Sequence, residues 1–292
     1  MDHFADRLAL AVTQRKTPLC VGLDPRWDRL PESIRGRYGE TRSGRARAYE
    51  EFCFRALDIV APLVGVAKPQ SAFFEALGAD GMAALFHVVE HARRLGLIVI
   101  VDAKRNDIAS TAEAYAEAVF DWLQADAVTV NPYLGRDSIE PFLAVARRSG
   151  RGLFVLVRTS NPGAGQFQDL SCEGEPVHVR VAQAVEAWSA ECRGQWGLGD
   201  VGAVIGATSP KELARLRQIL PSAWILVPGF GAQGGTAADV AGAFRPDGLG
   251  AVVNSSRAIL FPFEPEASDW EDRVEQAARQ TIEALRSCMP SR

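Results

Sequence analysis

Cysteine and histidine are scarce in this sequence. The five cysteines among 292 residues are odd in number and scattered, and no two of them form a Cys-x-x-Cys pair. This pattern argues against a disulfide framework and against a zinc site built on cysteine. Of the four histidines, only His87 and His91 are spaced to share one face of a helix. That pair resembles a metal-binding face, but we predict that the protein holds no metal.

An excess of positive charge and long apolar runs are also absent. The net charge is −4, so no field over the whole molecule attracts nucleic acid or a membrane surface. No apolar run approaches the roughly 18 residues that a membrane-spanning helix needs. The N-terminus is charged and lacks the apolar core of a signal peptide. We therefore expect a cytoplasmic protein with neither a nucleic-acid nor a membrane partner.

Short apolar runs alternate with amphipathic stretches along the chain. Strands are predicted at 19–23, 63–67, 97–102, 127–130, 153–157, 201–205, 224–227 and 249–253. Helices are predicted at 46–60, 79–95, 110–124, 138–148, 177–196, 210–220, 237–244 and 269–286. This alternation predicts an α/β protein, a single-domain (β/α)₈ TIM barrel over residues 1–292. An open doubly wound sheet is the alternative, although its glycine-rich phosphate fingerprint is missing after the first strand.

Residues 102–108, which read Asp-Ala-Lys-Arg-Asn-Asp-Ile, follow an apolar run and are the most informative stretch. Because a strand alternates its faces, Asp102 and Lys104 are expected to point the same way. With Asp107 just beyond the strand, two carboxylates are expected to bracket one ammonium. Opposite charges about 4 Å apart attract by roughly 4 kcal/mol at an effective dielectric of 20. Such attraction would keep Lys104 protonated, which suits a proton donor, although a surface ion pair would show the same spacing.

Other polar residues also follow predicted strands, where a barrel gathers its chemistry at one mouth. The glycine-rich run 228–235 includes Gln233, and 254–257 reads Asn-Ser-Ser-Arg, ending at Arg257. Backbone N–H groups beside a guanidinium predict a phosphate site at these last two strand ends. The arginine-rich segment 24–45 is typical of a solvated loop, and 159–176 of a long loop at the mouth. The remaining candidates at strand ends are Asp24, Lys68, Asn131 and Ser160.

Together these residues resemble a known family, the orotidine 5′-phosphate decarboxylases. The stretch 102–108, with Thr111 beyond it, is similar to that family's Asp-x-Lys-x-x-Asp-Ile signature. Companion motifs lie in order at 21–24, 68–75, 159–164, 228–235 and 256–259, so the resemblance covers nearly the whole chain. The Lys-Pro-Gln at 68–70 and the long first loop look most like the larger bacterial type (type 2).

The resemblance implies decarboxylation of orotidine 5′-monophosphate to uridine 5′-monophosphate in pyrimidine biosynthesis, by a homodimer that needs no cofactor. Lys104 would protonate C6 of the pyrimidine, within a charged array formed with Asp102 and Lys68. Asp107 would complete the site of a neighbouring subunit. The resemblance further implies that Asp24 and Lys68 hold the ribose, Thr111 serves the neighbouring site, Ser160 meets the pyrimidine, Gln233 and Arg257 bind phosphate, and Asn131 lines the pocket.

Three other functions remain open from the sequence. The signature is shared with barrels that decarboxylate or condense sugar phosphates, in which a glutamate after the second strand helps bind magnesium. Here that position is Lys68, and a charged ammonium cannot ligate a metal. A catalytically silent nucleotide-binding barrel would have no need of the intact set of charged residues. A scaffold protein is the third possibility, but the sequence offers no exposed apolar repeat for one.

Overall fold

Eight parallel strands close into a barrel in the computed structural model, which describes residues 3–207, 209–231 and 235–290. The last strand pairs with the first, with Cys20 aligned to Asn254, so the predicted barrel is confirmed and the open sheet is excluded. The strands are β1 (Leu19–Leu23), β2 (Val66–Pro69), β3 (Ile98–Arg105), β4 (Ala127–Val130), β5 (Gly152–Arg158), β6 (Val201–Ile205), β7 (Ile225–Val227) and β8 (Ala251–Ser255).

Helices surround this barrel and bury its outer face in a continuous apolar core. The helices of at least seven residues are Phe4–Arg15, Glu32–Tyr38, Arg42–Val60, Gly78–Arg94, Ala109–Glu117, Arg136–Arg148, Val177–Ala190, Pro210–Ile219 and Trp270–Arg286. Shorter helices are Ser71–Glu75, Gly165–Gln168, Ala237–Val240 and Arg257–Leu260. No helix in the described ranges is both long and apolar enough to cross a membrane.

The first helix, Phe4–Arg15, was not predicted, and it closes the end of the barrel opposite the candidate site. Its buried face packs against inward residues of the strands. The Phe4 ring meets Phe154 edge-on, with ring centroids 6.2 Å apart. A Cβ on Gly152 would come within 2.1 Å of the Phe4 ring, so β5 must begin with glycine here. The mouth at the carboxyl ends of the strands is thus left for chemistry.

The second strand starts later than the sequence predicts. Leu63 and Val64 donate their N–H groups to the carbonyl of Val60, so they belong to the turn that ends helix Arg42–Val60. Apolar residues in such a turn look like the start of a strand because both are buried runs.

The arginine-rich segment 24–45 is not the solvated loop that its charge suggests. It contains helix Glu32–Tyr38 and the start of helix Arg42–Val60. The Arg26 guanidinium lies 5.2 Å from the ring centre of Phe73, and that of Arg45 lies 5.2 Å from the ring centre of Trp27. The Arg26 cation thus holds the segment against the body of the protein, and the Arg45 cation stacks on a ring within the segment.

Candidate active site

Three charged side chains meet at the carboxyl ends of β2 and β3. Lys68 Nζ donates to Asp102 Oδ2 over 2.7 Å, and Lys104 Nζ donates to Asp102 Oδ1 over 2.6 Å. One carboxylate therefore lies between two ammonium groups. The expectation of two carboxylates around one ammonium is wrong within a single chain, because Lys68 rather than Asp107 completes the cluster.

Burial and charge act in opposite directions on this cluster. Burial of Asp102 favours its protonated form, but attraction to Lys68 and Lys104 outweighs this and holds the pKa of the carboxyl well below its usual range. Burial likewise opposes the charge on Lys68, yet Asp102 and Asp24 hold the pKa of its ammonium above the usual range. Both groups are therefore charged at neutral pH.

The two lysines differ in their access to a substrate. Lys68 is 3% exposed, whereas the Lys104 side chain is 46% exposed and lies at the mouth. The backbone of Lys104 is left-handed, with φ of 48°, at a point where the pairing of β3 with β4 changes register. A substrate can therefore contact one ammonium group of the cluster, that of Lys104, which is paired with the buried Asp102 carboxylate.

Asp24 follows β1 and has a buried Oδ1 with no hydrogen-bond partner among the described residues. Its neighbour Gly22 aligns with Lys68 across the β1–β2 pair. A Cβ on Gly22 would come within 1.8 Å of Ser256 Oγ, so only glycine leaves room for that hydroxyl. A buried, unpaired carboxylate oxygen is suited to accept a hydrogen bond from a ligand hydroxyl.

Ser160 and Asn131 occupy different parts of the mouth. Ser160 packs against Gly206, the residue that follows β6. A Cβ on Gly206 would come within 2.7 Å of the Cβ of Ser160. Asn131 lies in the turn after β4, and its Oδ1 accepts the N–H of Tyr133. Together with Tyr133 and Phe167 it lines a largely apolar groove. The structure therefore places Asn131 beside this groove and not within the charged cluster.

Asp107 and Thr111 point away from the cluster in the single chain. Asp107 Oδ1 accepts the N–H of the next residue, Ile108, and no ion pair to Asp107 occurs among the described residues. Thr111 is exposed on helix Ala109–Glu117.

One of the two predicted phosphate ligands, Arg257, follows β8. It is exposed and begins the helix after that strand. Gln233 lies outside the described residues. The two ends of its loop meet, because Gly231 donates its N–H to the carbonyl of Gly235. Gly231 has φ of 78°, a conformation that favours glycine.

The profile of the orotidine 5′-phosphate decarboxylase / HUMPS family matches residues 17–268. The chain belongs to this family. An orotidine 5′-phosphate decarboxylase of Rhodopirellula baltica is 48% identical, covering 98% of this chain and 100% of the relative. One of Azoarcus is 44% identical over 97% of this chain and 98% of its own length. The solved OMP decarboxylase of Leishmania donovani has a TM-score of 0.78 at 36% identity, and 98% of each chain is covered. The family resemblance is confirmed.

The two histidines whose spacing resembles a metal-binding face, His87 and His91, are each hydrogen-bonded to a carboxylate in this protein. His87 Nδ1 is hydrogen-bonded to Glu50, and His91 Nε2 to Asp58. Both acids lie on helix Arg42–Val60. Glu90 gives the pair a His-x-x-Glu-His spacing known from zinc peptidases, but each imidazole has its own carboxylate partner.

Another group with metal-binding side chains lies at the far end of the barrel: His3, Cys192 and Asp200. Its members already have partners. His3 Nδ1 accepts the N–H of Ala5 at the start of the first helix, which leaves its Nε2–H to donate to the carbonyl of Cys192. The Asp200 carboxylate accepts two hydrogen bonds from Arg147. These hydrogen bonds give His3, Cys192 and Asp200 a structural role at this end of the barrel.

Sequence reasoning missed Thr129, whose hydroxyl donates to Asp102 Oδ1 over 3.0 Å. The available signal was a polar side chain at an inward position of the short apolar strand β4. That signal is weak because threonine is common in strands.

Proposed function

We propose that this protein converts orotidine 5′-monophosphate to uridine 5′-monophosphate and carbon dioxide, in the last step of de novo pyrimidine synthesis. The observation that carries the proposal is the exposed Lys104 ammonium held on the buried Asp102 carboxylate. We place the enzyme in the cytoplasm as a homodimer that uses neither metal nor organic cofactor, with no nucleic-acid or membrane partner.

Lys104 is the proton donor of the proposed reaction. When the bond between C6 and the carboxylate breaks, the electron pair stays on C6, where no adjacent carbonyl group can delocalise it. The Lys104 ammonium stabilises this charge and then transfers a proton from Nζ to C6. The resulting amine regains a proton from solvent.

Asp102 has two roles in the proposed mechanism. Its carboxylate anchors the ammonium of Lys104 over 2.6 Å. It also faces the departing carboxylate of the substrate, and this like-charge contact is relieved as carbon dioxide leaves. Of the two, we assign the larger share of catalysis to stabilisation of the carbanion by Lys104.

The rest of the site binds parts of the substrate that do not react. Binding energy from the remote phosphate can be used to stabilise the transition state at C6. Asp24, with its unpaired oxygen, and Lys68 bind the ribose hydroxyls. We assign Ser160 to the pyrimidine edge, Gln233 and Arg257 to the phosphate, and Asn131 to the pocket wall.

We propose that Asp107 and Thr111 act in the site of a second subunit. Asp107 has no ion-pair partner among the described residues of its own chain, although it lies just beyond β3, the strand that carries Asp102 and Lys104. The next residue, Ile108, is an apolar side chain that is 52% exposed. Other large apolar side chains are exposed in the segments after β4 and β5: Tyr133 (86%), Leu134 (45%), Phe167 (64%) and Leu170 (54%). Exposed apolar surface of this kind marks interfaces.

A sugar-phosphate decarboxylase or aldolase of the same barrel group is the second candidate. The ion pair of Lys68 with Asp102 argues against it, because the ammonium occupies a carboxylate oxygen that a magnesium ion would need. A silent nucleotide-binding barrel is the third. These candidates predict magnesium dependence or no turnover, respectively.

Purified, EDTA-treated protein should decarboxylate orotidine 5′-monophosphate without added metal. Loss of the substrate's ultraviolet absorbance measures the reaction. The same protein supplied with magnesium and a six-carbon keto-sugar phosphate is the control and should show no turnover. Activity that appears only with magnesium would favour the sugar-phosphate function, and absence of turnover in both assays would favour the silent barrel.

Replacing Arg257 with alanine should weaken binding of uridine 5′-monophosphate but barely change binding of uridine. A charge-assisted hydrogen bond contributes roughly 1.5–3 kcal/mol, or about 10- to 100-fold in affinity. Calorimetric titration with nucleotide and nucleoside measures both. Arg279→Ala is the control, since Arg279 pairs with Glu275 on the surface of the last helix. Equal losses for the two ligands would remove Arg257 from the phosphate site.

A further inference from the structure

The hydroxyl of Thr129 stands at the centre of three hydrogen bonds beneath the candidate site. Its side chain points inward from β4 and is 1% exposed. The hydroxyl oxygen accepts the backbone N–H of Ala103 over 3.0 Å and that of Lys104 over 2.9 Å. The hydroxyl proton is donated to Asp102 Oδ1 over 3.0 Å.

These bonds coincide with an irregularity in β3. Its register with β4 shifts between Val101 and Arg105. Such a bulge leaves backbone N–H groups without their usual sheet partners, and buried donors must be satisfied in some other way. Thr129 accepts the two N–H groups within this bulge. A single side chain therefore takes the place of the missing sheet bonds.

The same bulge sets the direction of Lys104. Its backbone is left-handed, with φ of 48°, which is unfavourable for a residue with a Cβ and persists only when the surroundings enforce it. In this conformation the Lys104 chain turns back and its Nζ reaches Asp102 Oδ1. The carboxylate oxygen that receives Lys104 is also the one that receives the Thr129 hydroxyl.

We propose that Thr129 is a positioning residue for catalysis: its hydroxyl holds the β3 bulge so that the Lys104 ammonium and the Asp102 carboxylate keep their reactive geometry. Thr129 acts through these two residues and does not itself contact substrate. The inference rests on the roles proposed for Lys104 and Asp102.

A purely structural role would look different in kinetics. Thr17 provides the comparison, because it is also 1% exposed and its Oγ1 accepts a backbone N–H, that of Leu19, over 3.2 Å. Thr17 lies just before β1, at the closed end of the barrel. Loss of its hydroxyl should affect stability alone, whereas loss of the Thr129 hydroxyl should also affect kcat.

The test compares Thr129→Val, which keeps the shape and removes the hydroxyl, with Thr17→Val as the matched control. Even a small displacement of a reacting group can lower the reaction rate strongly. Thr129→Val should therefore lower kcat by about 10- to 100-fold. The KM for orotidine 5′-monophosphate and the Kd for uridine 5′-monophosphate should be nearly unchanged. Thr17→Val should retain wild-type kcat even if its melting temperature falls. Wild-type kcat in Thr129→Val would overturn the proposal.

A second pair of variants isolates the hydroxyl if the valine variant folds poorly. Thr129→Ser and Thr129→Ala both remove the γ-methyl group, but only serine keeps the hydroxyl. Serine should restore most of the kcat that alanine loses, and equal kcat values would overturn the proposal. A failure of the proposed function is distinguishable, because the wild-type protein would then not turn over orotidine 5′-monophosphate, whereas a failure of the role of Lys104 would show as an active Lys104→Ala. If Lys104→Ala is inactive while Thr129→Val is fully active, only the role of Thr129 is rejected.

Discussion

Replacing Lys104 with alanine should lower the rate of decarboxylation by about a thousandfold or more. The variant loses both the cation that stabilises charge at C6 and the group that protonates it. Lys68 cannot take over, because it is buried and its ammonium is bound to Asp102 Oδ2. The fold should survive, since Asp102 keeps Lys68 as a partner and is not left as an unpaired buried charge.

Turnover is measured by loss of substrate absorbance, and folding by calorimetric binding of uridine 5′-monophosphate. Nucleotide binding should persist because Lys104 is assigned to C6 of the pyrimidine and not to the phosphate. Lys211→Ala is the control, as Lys211 is an exposed lysine on helix Pro210–Ile219. Retention of more than a few per cent of wild-type turnover by Lys104→Ala would remove Lys104 as the proton donor.

The sequence predicted the barrel because each strand is a compact apolar run, and such runs arise from local composition. The closeness of Asp102 and Lys104 was also predictable, since residues two apart in a strand share a face. The way they meet was not. The left-handed Lys104 depends on Thr129, which is 25 positions away in the sequence and belongs to another strand. No local pattern reports a hydrogen bond of that kind.

Two other features escaped prediction for similar reasons. Phe4 lies in a charged N-terminus for which no helix was predicted, yet its ring meets that of Phe154 in β5 at the closed end of the barrel. Arg45 looked solvated because arginine normally is, but it stacks on Trp27. In each case a long-range contact with an aromatic ring, and not the residue's own preference, determined the structure.

Replacing Asp107 should also cause a large loss of activity, and the prediction depends on which subunit supplies Asp107 to each active site. Asp107 lies past the end of β3, so strand alternation does not fix its direction. Within the described part of the chain, the Asp107 carboxylate accepts one hydrogen bond, from the N–H of its neighbour Ile108, which is itself 52% exposed. If Asp107 completes the site of the partner subunit, each site combines Lys104 of one chain with Asp107 of the other. Homodimers of Lys104→Ala and of Asp107→Ala should then both be nearly inactive.

Mixing the two inactive variants under conditions that exchange subunits should restore activity. In a mixed dimer, one site has both residues intact and the other lacks both. Random exchange makes about half of the dimers mixed, so activity should approach about a quarter of the wild-type value. The control mixes Lys104→Ala with a chain that carries both substitutions, from which no intact site can form. If Asp107 instead serves its own chain, every site in the test mixture lacks one group. Verified exchange without recovered activity would therefore reject the shared site, while leaving the decarboxylase function in place.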